Sequence, residues 1–131
     1  MSGVDDFLDA ARAELDRVTP AEAEAHRAAG AILVDIRPLA NRAAEGEIPG
    51  ALPIERIHLE WRLDPRGSHR IPQVAEDSTV IVFCNDGYAS SLAARDLHRV
   101  GLPGATDLVG GYRAWKRAGL PTQDGGSPAI P

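Results

Sequence analysis

The sequence predicts an α/β domain with a doubly wound, mostly parallel five-stranded sheet and helices on both faces. Three observations carry this. Residues 31–36 (AILVDI) and 79–83 (TVIVF) are short apolar runs rich in branched side chains, without polar alternation. That is the pattern of strands buried on both faces. Between such runs lie stretches with helical spacing and clear start and stop signals. The links are short, so strands and helices alternate, as parallel crossovers require.

Each element has its own signature. Val4, Phe7, Leu8, Ala11 and Leu15 fall at helical spacing, with acids and arginines opposite, predicting a flanking helix within residues 1–16. Thr19-Pro20-Ala21-Glu22 is a helix start: Thr19 can cap, Pro20 suits the first turn, and Glu22 completes a capping box. Gly30 can end that helix at positive φ. The first strand follows and stops at Arg37-Pro38. Residues 39–46 predict a short polar helix or turn, and 48–54 a turn leading into a short strand. Residues 55–63 predict a helix with Ile57 and Trp61 on one side, and 64–78 a loop marked by Asp64-Pro65, Gly67-Ser68 and Pro72. Residues 79–83 are the clearest strand. A helix is expected from 89 to 100, closed by Gly101, then a strand at 105–109 and a helix at 112–118, with Gly110-Gly111 as the turn between them. Residues 17–121 therefore form the domain. The Gly/Ser/Pro-rich residues 122–131 are expected to be disordered.

Composition narrows the function. A chain of 131 residues with 44% hydrophobic and 25% charged residues suits one globular domain with a proper core. The net charge of −5 argues against sequence-independent nucleic-acid binding, which needs a basic footprint. No apolar run approaches the roughly 20 residues that span a bilayer, and the acidic start MSGVDDFLDA does not resemble a signal peptide, so a cytoplasmic location is expected. The single cysteine excludes an internal disulfide and a multi-cysteine zinc site. His26, His58, His69 and His98 show no ligand spacing, so neither a metal nor a cofactor is expected. His26 and His98 fall within helices and are expected to face solvent. Gly-x-Ser-x-Gly and a Gly-rich loop ending in Gly-Lys-Ser/Thr are absent.

Cys84 stands where the clearest strand runs out, just ahead of a helix start. In an open parallel sheet, ligands bind beyond the carboxyl ends of the strands. The loop 84–88 thus wraps toward unpaired amide N–H groups and the positive end of a helix dipole. Such a ring of N–H groups is an anion nest, and Gly87 permits its sharp turn. A thiolate there is expected to be favoured over the thiol, with a pKa below the free value of about 8.5. A shift of two units would correspond to roughly 2.7 kcal/mol. The alternative for any lone cysteine is an inert, buried small hydrophobe. Asp35, at a strand end, is expected to accept backbone N–H bonds. Trp115 is expected in the core, and Trp61 either at the pocket mouth or as core cover.

Four segments together resemble the rhodanese (Cdc25-like) superfamily across about residues 17–121. Val34-Asp35-Ile36-Arg37 resembles the family's Asp-x-Arg. Gly46-Glu47-Ile48-Pro49-Gly50-Ala51 resembles Gly-His-Ile-x-Gly-Ala, with Glu47 where histidine is usual. Residues 84–90, Cys84-Asn85-Asp86-Gly87-Tyr88-Ala89-Ser90, resemble the active-site loop Cys-x-x-Gly-x-Arg-Ser. Leu108-Val109-Gly110-Gly111-Tyr112-Arg113-Ala114-Trp115 resembles the closing Leu-x-Gly-Gly-x-x-x-Trp. The resemblance implies a sulfurtransferase. Cys84 would attack a sulfane-sulfur donor, become a persulfide and pass the outer sulfur to a nucleophilic acceptor. Residues 85–90 would cradle it. The implied partners are a small sulfur donor and a thiol acceptor or carrier protein.

The loop departs from the family at two places. Ala89 stands where arginine is frequent, so a bidentate oxyanion fork is missing. Asp86 adds a negative charge; two unit charges about 4 Å apart at an effective dielectric of about 20 interact by roughly 4 kcal/mol. Thiosulfate is then expected to be a poor donor and a persulfide a better one. Arg37, Arg42 or Arg95 are the candidates to replace the missing cation in part, the alternative being ordinary surface arginines. A Cys-x5-Arg phosphatase is disfavoured because the residue six after Cys84 is Ser90. The competing readings are a non-catalytic binding module of this fold, or a redox sensor forming a sulfenate on Cys84.

Overall fold

The two apolar runs become adjacent central strands of one sheet in a computed structural model that describes residues 2–131. Strands β1 (Ile32–Asp35), β2 (Leu52–Pro53), β3 (Val80–Phe83) and β4 (Ala105–Asp107) run parallel in the order β2-β1-β3-β4. The sheet has four strands, not five. Val18 extends it beyond β4 only as a single bridge to Leu108. The next residue, Thr19, already caps a helix begun by Pro20, so no edge strand can grow there.

Strand alternation sorts the core into two layers. Val80 and Val82 of β3 face one cluster, with Val34, Leu59, Leu63, Ala93 and Leu97. Ile81 and Phe83 face the other, with Leu33, Ala23, Leu108, Tyr112 and Trp115. Helices α4 (Leu59–Leu63) and α5 (Ala89–Arg99) therefore cover the first face; α2 (Pro20–Ala28) and α6 (Gly111–Arg117) cover the second. Both faces are buried, which explains why the strands lack polar alternation. The expected capping box forms: the Glu22 amide donates to Thr19 Oγ1 at 3.2 Å, and the Thr19 amide to Glu22 Oε1 at 2.9 Å.

The remaining helices are α1 (Gly3–Arg12), packed on α5, and α3 (Leu39–Glu45). On α1 the packed positions are Ala11 and, in part, Leu8, while Val4 and Phe7 stay exposed. A 3-10 turn at Arg56–His58 precedes α4. This segment buries Leu59 and Leu63, while Ile57 and Trp61 are exposed, so the expected apolar face is corrected. Trp61 lies in a cleft beside Val100, at the opposite end of α5 from Cys84. His98 also departs from expectation: its Nε2 lies 2.6 Å from the Ala105 carbonyl oxygen.

Residues 122–131 are not a loose tail. The Gln123 amide donates to the Glu47 carbonyl at 2.8 Å and the Ile130 amide to that of Pro53 at 2.8 Å, while Ile130 packs against the first core cluster. The reason is a buried charge. Arg42 is fully buried, and its Nη1 donates to Glu47 Oε2 and to the Ser127 carbonyl, each at 2.7 Å. A buried guanidinium needs such partners, and the tail supplies one of them. Small and polar composition suggested disorder because it contains no sign of that distant cation.

Candidate active site

Parallel pairing brings three strand ends together. Asp35 pairs with Phe83 and Asp107 with Val82, so Cys84, next along the chain, emerges between two buried carboxylates. Cys84 is partly buried. The Gly87 amide donates to its Sγ at 3.3 Å, and the thiol faces Ser90 Oγ at 3.4 Å. Gly87 has φ +86°, and a Cβ there would lie 2.8 Å from the Gly110 amide nitrogen. The loop therefore requires glycine at this position on both counts. The amides of Asn85, Asp86 and Tyr88 donate to no acceptor among the described residues. With the first-turn amides of α5 behind them, these are the donors of an anion nest.

Behind the sulfur lies a polar network. Ser90 and Ser91 each donate to Asp107 Oδ2 at 2.8 Å. Since the Ser90 proton is directed to Asp107, its oxygen presents lone pairs to the thiol. Arg17 grips Asp107 through Nε at 2.8 Å and Nη2 at 3.2 Å. Arg17 Nη2 also donates to the Gly87 carbonyl at 3.0 Å, as does Arg12 Nη2 at 2.7 Å.

Two helix-terminal amides hold the loop from the other side. The Tyr112 amide donates to the Cys84 carbonyl at 2.8 Å, and that of Arg113 to the Asn85 carbonyl at 3.1 Å. Gly110 and Gly111, at φ +75° and +64°, let α6 begin close enough to make these bonds.

The expected cations are otherwise engaged. Arg37 is buried, with a bidentate grip on Asp35 at 2.9 and 2.7 Å, a bond to the Gly46 carbonyl at 2.8 Å and the Tyr112 ring 4.1 Å away. It reaches the loop only through Asn85 Oδ1 at 3.2 Å, so it braces the loop and offers no free fork. The Arg37 amide also donates to Asp35 at 3.0 Å, as expected for a strand-end aspartate. Arg42 is committed to Glu47, and Arg95 to Asp96 and the Phe7 ring.

Asp86 is not a lone negative charge. Arg113 Nη1 donates to it at 2.9 Å while binding Glu45 at 2.7 Å. Hydrogen bonds from Arg113 hold the Glu45 carboxyl below its ordinary range, and the two carboxylates hold Arg113 above its own. Tyr88 and Ala89 are exposed at the start of α5.

Sequence patterns missed Asp107, Arg12, Arg17 and Arg113. Asp107 carried a usable signal, an acid closing a buried strand like Asp35. The arginines carried none, because their partners lie as many as 90 residues away.

Comparison with known proteins agrees with this architecture. The model of the rhodanese-like domain family matches residues 19–118. The chain is 36% identical over 118 residues to thiosulfate sulfurtransferase 16, chloroplastic, of Arabidopsis thaliana, covering 90% of this chain and 85% of that one. It is 33% identical over 103 residues to thiosulfate sulfurtransferase GlpE of Pseudomonas fluorescens (strain SBW25), covering 79% and 86%. A solved structure from Rhodopseudomonas palustris, described as a protein of unknown function and possible tyrosine phosphatase, superposes with a TM-score of 0.83 at 32% identity, covering 94% and 96%.

Proposed function

Because the chain belongs to the rhodanese-like domain family, we propose that it is a sulfurtransferase that carries sulfane sulfur on Cys84. The thiolate attacks the outer sulfur of the donor, and the donor's S–S bond breaks. Thiosulfate would leave as sulfite, and a persulfide R–S–SH as the thiol RSH once a proton is taken up. Cys84 retains the transferred atom as a persulfide. An acceptor thiolate then attacks that outer sulfur and regenerates the Cys84 thiolate. The oxidation state of the transferred sulfur is conserved, so neither cofactor nor resolving cysteine is required. The observation that carries this reading is the partly buried Sγ at the mouth of the loop, bonded by the Gly87 amide among unpartnered neighbouring amides.

The donor follows from what position 89 lacks. Thiosulfate is a dianion whose sulfonate oxygens are best held by a guanidinium fork, and Ala89 offers none. Small-molecule persulfides or a protein carrier are the proposed donors, with a thiol or a carrier protein as acceptor. A reducing compartment such as the cytoplasm is the proposed setting, since the chemistry needs a reduced Cys84. No helix among the described residues is long and apolar enough to cross a membrane. Phosphate-ester chemistry on Cys84 is disfavoured by Ser90 in the position of the phosphate-gripping arginine.

Substitution of the exposed Ala89 tests the donor assignment. Ala89→Arg is expected to raise kcat/KM for thiosulfate by about tenfold, the scale of one charge-assisted contact. Glutathione persulfide turnover should change far less. Unchanged or lower thiosulfate turnover in a folded variant would show that the missing cation is not what limits this donor.

A further inference from the structure

The charged side chains packed around the loop each have an opposite charge in contact, with one exception. Arg37 neutralises Asp35, Arg17 neutralises Asp107, and Arg113 lies between Asp86 and Glu45. Arg12, on α1, has no carboxylate within ion-pairing distance among the described residues. Its guanidinium instead donates to the Gly87 carbonyl at 2.7 Å and to Ser91 Oγ at 3.1 Å, and lies 5.6 Å from the centre of the Tyr88 ring. A cation without a counter-ion is thus pressed against the back of the loop that carries Cys84.

The peptide that Arg12 touches suits this arrangement. In a trans peptide the C=O and N–H point in opposite directions, and the described residues contain no cis bond. A cation drawing on the Gly87 carbonyl therefore polarises the Tyr88 N–H, which points away from Arg12 and has no acceptor among the described residues. The same residue, Gly87, donates its own amide to Sγ. Arg12 lies N-terminal to residues 19–118, the part of the chain that the family model matches.

We propose that Arg12 supplies, from behind the loop, the positive charge that Ala89 does not supply from the front. It acts as a positioning residue that favours the ionised sulfur through the Gly87 carbonyl. The flanking helix α1 is then part of the active site rather than mere core cover. This rests on Cys84 acting as a thiolate that carries sulfur.

Cys84 is the only cysteine, so its alkylation by iodoacetamide can be followed in the full chain as a function of pH. In Arg12→Gln the midpoint of that profile should rise, with alkylation about three- to tenfold slower at neutral pH, the size of a half- to one-unit shift. Arg12→Lys should retain most of the parent's behaviour. Adding Ala89→Arg to Arg12→Gln should bring the midpoint back, because the loop then regains a positive charge. An Arg12→Gln midpoint equal to the parent's overturns the proposal. So does a double variant that, folded by circular dichroism, keeps the raised midpoint. If Arg12→Gln does not fold, Arg12→Met, which keeps the stem, takes its place under the same criteria. Alkylation needs no sulfur donor, so it separates the two ideas. A parent chain that never loads sulfur from glutathione persulfide defeats the transferase reading, whatever the midpoints do.

Discussion

Alanine at Gly111 is expected to destabilise the domain by at least about 3 kcal/mol and to disorganise the Cys84 loop. Two causes add. Gly111 sits at φ +64°, where an L side chain is strained, and its Cβ would lie 2.5 Å from the Cys84 carbonyl oxygen and 2.6 Å from that of Asn85. Both obstacles are backbone, so no side-chain rotation relieves them. To make room, α6 must withdraw, and the Tyr112 and Arg113 amides then release the two carbonyls they hold. Loss of stability and loss of Cys84 reactivity should therefore appear together. Urea unfolding and alkylation rate, measured on the same sample, check this. A Gly111→Ala variant that is stable but unreactive, or reactive but unstable, would separate the helix start from the loop and contradict the coupling.

Glu47→Ala is expected to cost about 3–5 kcal/mol, the usual result of removing one partner of a buried ion pair. Arg42 would stay buried without its carboxylate, and its Nη2 already has no hydrogen-bond partner among the described residues. Ser127 loses its acceptor as well, so the strap formed by residues 122–131 should loosen. The pH dependence has a definite sign. Burial pushes the Glu47 carboxyl up, but hydrogen bonds from Ser127 and the Arg42 guanidinium outweigh it and leave its pKa below the ordinary value. The unfolded chain thus binds the proton more readily. The contribution of Glu47 is full above an unfolded pKa of about 4.3 and is lost as pH falls through the lower folded value. The gap in urea stability between parent and Glu47→Ala should be widest near neutrality and shrink in acid. A gap independent of pH would mean that the carboxylate charge is not what matters.

How far the sequence foretells this molecule depends on the range of the interaction. The α2 capping box is written within four consecutive residues and was predicted from them. The β3 strand and the loop that follows it were evident for the same reason: a continuous apolar run ends at Cys84, with Gly87 three residues on. The edge of the sheet was less clear, because pairing at Val18 depends on where Leu108 falls. Longest in range are the guanidinium contacts. Arg37 belongs to the expected loop environment, and although its grip on Asp35 spans only two residues, its bond to Asn85 spans 48 and becomes visible only when neighbouring strand ends are aligned. Arg12 and Arg17 look like ordinary polar residues of a surface helix and its exit. Their role appears only where the chain returns at Gly87 and Asp107. The order of the tail is hidden for a related reason, since Gly, Ser and Pro composition does not reveal the buried cation that it partners.

The most direct test of Cys84 as a sulfur carrier is the intact mass of the reduced full chain after brief exposure to glutathione persulfide, compared with Cys84→Ser. The parent should gain the mass of one sulfur atom and lose it again on treatment with cyanide or a thiol, while Cys84→Ser should gain nothing. A parent that gains no sulfur from glutathione persulfide, or a Cys84→Ser chain that gains it equally, would contradict the account.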